Sequence, residues 1–522
     1  MSARGVIAAS EPHTALAGAR ILRRGGNAVD AIVAAKLAAT VTELPLTSLA
    51  GGGACIWGSA AKGYEIVDFF ATTPGRGLQA LPTLDFLPIT VDFGQAVQVF
   101  HIGKAAAAIP GELVGLLHLH QRGGRLPLRE IVAPAVNWAR TGFLVSPQIA
   151  MMAGLIAPIL RHSPTVAALF CPLGHVARAG ERLANPRLGE FLQALAEGNA
   201  EEQLARYWTS LVEHFSPAQG GLITLHDVAS YAPVVRQPLS IPFGRYTVLT
   251  NPPPSAGGGL VGAGLRLAED LALGQEEFLS AQHQSAVATV LAGVSAIRQA
   301  GYDQRLHSDP ESIRKLVSGT IGSAYWNVGQ SAGGNENRLG ATTHISVIDA
   351  EGMAAALTTS NGEGCGHALP ELGIHVNNFL GEEDINPAGF HRSPPGSWMS
   401  TMMSPTIVVI DQVPCFALGS GGSNRIRSAI LQALLNLLAY HRPLDEAVNA
   451  PRMHLEGDKL WFEEAGLPTA AANALDQRWP AATRFAAPSM FFGGVNCAAR
   501  LDGRLSGAGD RRRGGVVVVA ED

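Results

Sequence analysis

Ser331-Ala-Gly-Gly-Asn-Glu-Asn337 is polar and glycine-rich, and it gives way almost at once to Thr342-Thr-His-Ile-Ser-Val-Ile-Asp349. The first stretch reads as a flexible exposed loop, the second as a β-branched, alternating strand. Asp349-Ala-Glu-Gly352 is a turn, and Met353 to Ser360 returns as a second strand. Downstream the pattern repeats at Thr406 to Ile410 and Cys415 to Leu418. The glycine turn Gly419-Ser-Gly-Gly-Ser423 then opens a helix whose apolar face runs Ile426, Ala429, Ile430, Ala433, Leu434 and Leu437. The closing run Gly515-Val-Val-Val-Val519 suits a central strand.

Upstream, helices dominate. Glu11 to Ala39 has helical period and breaks at Gly25-Gly26-Asn27, where Asn27 is placed to cap Ala28 to Ala39 and Asp30 suits the positive helix end. Leu49 to Trp57 is a glycine turn feeding a strand, with Tyr64 to Phe70 as hairpin partner. Helical patterns follow at Glu112 to His120 and Leu128 to Ala139, and 141–240 reads as mostly helical. Pro252-Pro-Pro-Ser255 with Gly257-Gly-Gly259 is a rigid turn entering another helix. Helices first and sheet last, with no linker between, predict an α/β layered domain.

The 522 residues are 47% hydrophobic and 16% charged, enough apolar material for a large core. A net charge of −5 offers no basic field for nucleic acid or an anionic membrane. The five cysteines are widely spaced and form no C-x-x-C pair, so zinc ribbons and thiol–disulfide chemistry have no support. The chain start lacks a signal-peptide pattern, no apolar run reaches the length of a membrane span, and the best candidate, Ala31 to Val41, is interrupted by Lys36. These features predict a cytoplasmic protein, or a periplasmic one if the true start lies upstream.

Most motif matches have simpler readings. Gly257-Gly-Gly-Leu-Val-Gly262 fits G-x-G-x-x-G but lacks the flanking βαβ pattern, so it reads as a helix entry. Gly329-Gln-Ser-Ala-Gly333 fits a serine-hydrolase spacing but runs into polar loop instead of a helix. Cys365 reads as a packed small residue. Gly421-Gly422 differs, because it lies where a strand ends and a helix begins, where free N–H groups suit an oxyanion. Thr342 opens a strand after a glycine-rich loop, which is ordinary unless the chain breaks before it. A threonine at a new N-terminus carries its own base, since its α-amine accepts the hydroxyl proton.

The motifs, taken in order, resemble the gamma-glutamyltransferase family of N-terminal-nucleophile hydrolases over nearly the whole chain. They are Gly25-Gly-Asn-Ala-Val-Asp-Ala31, Gly51-Gly-Gly53, Ile109-Pro-Gly-Glu112, Gly124-Arg-Leu-Pro127 and Ala133-Pro-Ala135, then Pro252-Pro-Pro-Ser255, Thr342-Thr-His344, Asn377-Asn378, Ser400-Thr-Met402, Gly421-Gly-Ser423 and Ala450-Pro-Arg452. The resemblance implies a four-layer αββα sandwich and a precursor that cleaves itself between Ala341 and Thr342. Residues 1–341 and 342–522 would then be large- and small-subunit segments of one folding unit, and the resemblance allows such heterodimers to pair again as a homodimer of the heterodimer. It also implies Thr342 as nucleophile, Ser360 as its supporting hydroxyl, and Gly421 and Gly422 as the oxyanion hole. Neither metal nor organic cofactor is called for. The implied substrate is a γ-glutamyl or similar amide, with water or an amine as acceptor.

For the substrate pocket the resemblance implies Asn361 (or, one residue on, Gly362), Glu382 (or Glu383), Ser400 and Thr401. One position departs. Where the family reads D-x-R-E-x-A-P, this chain has Asp68-Phe-Phe-Ala-Thr-Thr-Pro74, so Phe70 stands in place of the carboxylate-clamping arginine. Arg76 is the nearest candidate to reach in instead. The loss opens an alternative with the same mechanism, an acylase for a less polar N-acyl or peptide substrate lined by Phe69 and Phe70. A non-catalytic, uncleaved binding protein is the alternative from another class.

Overall fold

The computed structural model describes residues 3–92, 97–198, 200–322 and 341–521. The loop Ser331 to Asn337 and the motif Gly329 to Gly333 lie outside the described residues.

Two stacked antiparallel sheets form the centre. In chain order their strands are β1 (Ala3–Ala9), β2 (Gly52–Ser59), β3 (Gly63–Phe69), β4 (Val234–Arg236), β5 (Leu239–Phe243), β6 (Tyr246–Thr250), β7 (Thr343–Asp349), β8 (Ala354–Ser360), β9 (Thr406–Ile410), β10 (Val413–Gly421), β11 (Gly494–Leu501), β12 (Arg504–Gly509) and β13 (Val516–Glu521). The first sheet has seven strands in the order β13-β1-β7-β8-β2-β3-β4, and the second six in the order β12-β11-β10-β9-β6-β5. Each sheet contains strands from both sides of Ala341, so neither segment holds a complete sheet.

Each sheet carries helices on its outer face. Against the first lie α1 (Pro12–Arg23), α2 (Ala28–Thr42), α3 (Glu112–Gly123) and α4 (Leu128–Thr141); against the second lie α5 (Gly257–Asp270), α6 (Ala281–Ile297) and α7 (Ile426–Leu438). A thin apolar layer, with Val6, Ile56, Ile348, Ile407 and Ala417 among its members, separates the sheets. This is the expected αββα sandwich. No helix among the described residues is long and apolar enough to cross a membrane.

Local chemistry explains the elements. The Asn27 side chain accepts from the Asp30 N–H while Asp30 caps back, a full capping box at the start of α2. The expected β2–β3 hairpin forms, with Ala54 opposite Asp68.

Two readings need correction. The C-terminal run is not a central strand: β13 sits at the edge of the first sheet, its residues only half-buried. The run is apolar because Val516 and Val518 pack on one core cluster and Val517 and Val519 on another, while no described strand pairs with its outer edge. The helix α7 is also buried all round, not on one face alone. Its polar side is met by a further strand, Met453–Glu456, where Gln432 Nε2 donates to the Met453 carbonyl at 2.7 Å and Ser428 Oγ lies 2.8 Å from His454 Nδ1.

Candidate active site

The register of β7 and β8 assembles the site. Thr343 stands opposite Thr359, so the residue before β7, Thr342, and the last of β8, Ser360, meet at one end of the hairpin. This is the physical meaning of their spacing in sequence. Both are buried, at 6% and 5% exposure.

The Ser360 hydroxyl donates to the carbonyl oxygen of Ala341, in a short contact, and itself accepts from the Gly362 N–H at 2.9 Å. That carbonyl belongs to the Ala341–Thr342 peptide. The Ala341 N–H donates to Glu363 Oε1 at 3.3 Å. Burial raises the Glu363 carboxyl to about 8, with the charge of Asp384 acting the same way. Asn378 fixes the turn, its Oδ1 accepting from the N–H groups of Glu363 and Gly364 at 3.0 and 3.2 Å.

From the second sheet, β10 ends against Thr342. A Cβ on Gly421 would lie 2.1 Å from the Thr342 carbonyl oxygen, and one on Gly419 would lie 2.3 Å from the His344 ring. Only glycine lets these two strands approach so closely. Gly422 then turns the chain at φ +127° into Ser423–Arg425 and α7. Arg513 Nη1 donates to the Thr342 carbonyl at 3.5 Å, and burial lowers its guanidinium to about 10. His344, wholly buried between Thr358 and Ser346 at 2.8 Å each, is pushed down to about 3 and is neutral.

A cleft of about 710 Å³, counting its open mouth, has Ala341, Thr342 and Ser360 in its lining. One apolar part of the lining is Phe70, Phe379, Met402 and Met403; charged and polar groups are Glu382, Asp384, Ser400, Thr401, Arg298 and Asp303. Of the expected pocket residues, Glu382, Ser400 and Thr401 are brought together with Thr342, whereas Glu383 faces a smaller adjoining hollow beside Gln98. Ser400 Oγ lies 3.1 Å from His307 Nε2, and Thr401 Oγ1 accepts from the Met403 N–H at 3.2 Å.

Asn361 does not line the cleft. Its Oδ1 accepts from Ser48 Oγ at 3.0 Å on the other side of the strand, and Gly362 faces Glu382 and Asn378. Ser360 lines the cleft, and the next side chain, at Asn361, points to the opposite face as extended backbone dictates, while Gly362 turns away at φ +58°. Arg76 does not reach in either, since its Nη2 points to the Gly396 carbonyl at 3.5 Å. Phe70 stacks obliquely on Phe379, ring centroids 4.7 Å apart, within an apolar cluster containing Leu380, Met399 and Met403.

Sequence reasoning missed Glu363, Arg298 and Arg513. Glu363 had a signal: an acid wedged between Gly362 and Gly364 next to the supporting serine. Arg298 had none, because it comes from the end of α6, where its Nε meets Asp303 at 3.0 Å and its Nη1 meets Asn424 at 3.1 Å.

Fold and site define a self-processing amidohydrolase and acyltransferase of the N-terminal-nucleophile class. Residues 14–520 match the family model for gamma-glutamyltranspeptidase, and the chain belongs to that family. The acylase ACY 1 proenzyme of Pseudomonas sp. strain SE83 is 31% identical over 99% of this chain and 93% of its own length. The glutathione hydrolase proenzyme of Escherichia coli K12 is 29% identical over 89% of this chain and 83% of its own. In fold the chain matches a cephalosporin acylase from Bacillus halodurans with a TM-score of 0.79, at 22% identity, over 100% of this chain and 96% of that one.

Proposed function

We propose that Thr342 cleaves the chain at its own N-terminal side and then serves as nucleophile toward an external amide. The observation that carries this reading is the Ala341–Thr342 junction at the cleft, with Ser360 bonded to the Ala341 carbonyl. In cleavage the Thr342 Oγ attacks the Ala341 carbonyl carbon; the C–O bond forms, the C–N bond breaks, and the hydroxyl proton passes to the departing Thr342 amine. Ser360 donates to the oxygen where negative charge develops. Water then hydrolyses the ester, freeing Thr342 and leaving a carboxylate on Ala341. Residues 1–341 and 342–522 remain as two chains of one folded body.

In turnover the free Thr342 amine accepts the proton from its own hydroxyl. Such an amine has an unperturbed pKa of about 7.7–8.0, matched to neutral operation. Thr342 Oγ bonds the substrate's carbonyl carbon with the Gly421 and Gly422 N–H groups facing the oxyanion. The amide C–N bond breaks as the Thr342 amine returns its proton to the leaving amine, and water or an acceptor amine then takes the acyl group from Oγ, which recovers its proton.

The acyl half meets an aromatic wall at Phe70, and the arginine that does line the cleft, Arg298, is paired with Asp303 and Glu456. Phe70 and Phe379 fill the position where a bidentate guanidinium contact would otherwise anchor a carboxylate. This favours the acylase reading, an N-acyl amide less polar than a free γ-glutamyl head, and it agrees with the acylase relative. Glu382, Ser400 and Thr401 supply polar contacts on the same substrate. The test is a panel of anilides differing only in acyl group: kcat/KM higher for apolar N-acyl than for γ-glutamyl anilide supports the assignment, and the reverse order contradicts it.

A further inference from the structure

Ala341 is held by both of its backbone polar groups. Ser360 takes its carbonyl, and a second residue takes its N–H: Glu363, 2% exposed, with Oε1 3.3 Å away. Both come from one tight segment, Ser360 to Glu363, in which the Gly362 N–H also bonds Ser360 and Asn378 bonds the Glu363 N–H. The Ala341 N–H lies in the preceding peptide and the carbonyl in the scissile one, so the two grips together restrict rotation about the Ala341 backbone bonds that set the plane of the carbonyl Thr342 must attack. A single hydrogen bond to the oxygen would leave that plane free to rotate about it.

We propose that Glu363 is a positioning residue for self-cleavage, orienting the Ala341–Thr342 peptide by holding the Ala341 N–H opposite the Ser360–carbonyl bond. The proposal rests on cleavage at this junction. Among the described residues Glu363 Oε2 has no hydrogen-bond partner, so this buried carboxyl beside the scissile residue costs the fold stability. With its carboxyl raised to about 8, Glu363 is mostly uncharged at neutral pH, and the uncharged acid still accepts through its carbonyl oxygen. An amide offers the same acceptor, which makes Glu363→Gln the conservative variant. An apolar side chain of similar size offers none.

The experiment follows fragment formation in the full chain by intact mass, for wild type, Glu363→Gln and Glu363→Leu, with melting temperatures of each in the uncleavable Thr342→Ala background. The proposal expects Glu363→Leu to cleave at least about 10-fold more slowly, the loss of one charge-free or weakly charged contact. It expects a melting temperature no lower than the parent's, and a rate for Glu363→Gln within about 3-fold of wild type. Unchanged cleavage in Glu363→Leu overturns it, as does Glu363→Gln being as slow as Glu363→Leu. Slowing accompanied by a matching fall in melting temperature also overturns it, leaving Glu363 a structural residue. Absence of cleavage in wild type itself would instead count against Thr342, and is separated from these outcomes by the unsubstituted chain.

Discussion

The Ser360 hydroxyl donates to the carbonyl oxygen of Ala341, so the end of β8 and the residue before Thr342 are joined by a hydrogen bond across the β7–β8 hairpin. The contact joins fold to chemistry: the same antiparallel register that buries the hairpin delivers a hydroxyl to the bond that is to break.

Removing that hydroxyl isolates its contribution. Ser360→Ala is expected to slow cleavage by about 10² to 10³, the loss typical of one donor to a developing oxyanion. Ser360→Thr keeps the donor and is expected to cleave at a rate close to wild type. Timed intact-mass measurement of the precursor distinguishes the two.

Gly421 tests the contact between sheets. A methyl there would lie 2.1 Å from the Thr342 carbonyl oxygen, an overlap with backbone that no rotamer relieves. Gly421→Ala is expected to displace β10 from Thr342, lowering both cleavage rate and kcat/KM by at least about 10², the scale of a small misplacement of reacting groups. Retained activity would mean that this turn does not position the reaction.

Phe70 tests the acyl wall. Phe70→Ala leaves a void beside Phe379 and is expected to cost about 3 kcal/mol or somewhat less, since the site borders the cleft and part of the void can fill with water. Bulkier acyl anilides are expected to gain relative to small ones. Phe70→Arg alone places a charge in the apolar cluster around Met399 and Met403, so a fall in melting temperature is expected before any gain toward γ-glutamyl substrates.

The fold and much of this site are legible in the sequence because they depend on local pattern. Strand alternation locates β7 to β10, and the glycine turn after β10 is visible as a place where a strand gives way to a helix. What was not legible depends on burial from a distance. The edge position of β13, the covered polar side of α7, and Arg298 arriving from α6 are all set by partners remote in sequence. The Asn361 misplacement is of another kind: it is the residue after Ser360, so its side chain points away from the cleft, toward Ser48.

Glu363 also predicts a pH dependence of stability. Its carboxyl is raised from 4.5 to about 8 in the folded chain, so between those values the folded state binds more proton than the unfolded one. Stability from this group is therefore present below about pH 4.5 and is lost as pH rises toward 8. In the Thr342→Ala background, Glu363→Gln is expected to flatten the fall in melting temperature between pH 6 and about 8. An unchanged slope would mean that Glu363 ionises normally.

The most direct measurement is intact mass of the purified wild-type chain beside Thr342→Ala. Wild type is expected to give two fragments that meet between Ala341 and Thr342, the smaller with a free N-terminal threonine, while Thr342→Ala remains one chain. A wild-type chain that stays whole after prolonged incubation, or fragments that meet at any other bond, would contradict Thr342 as the nucleophile.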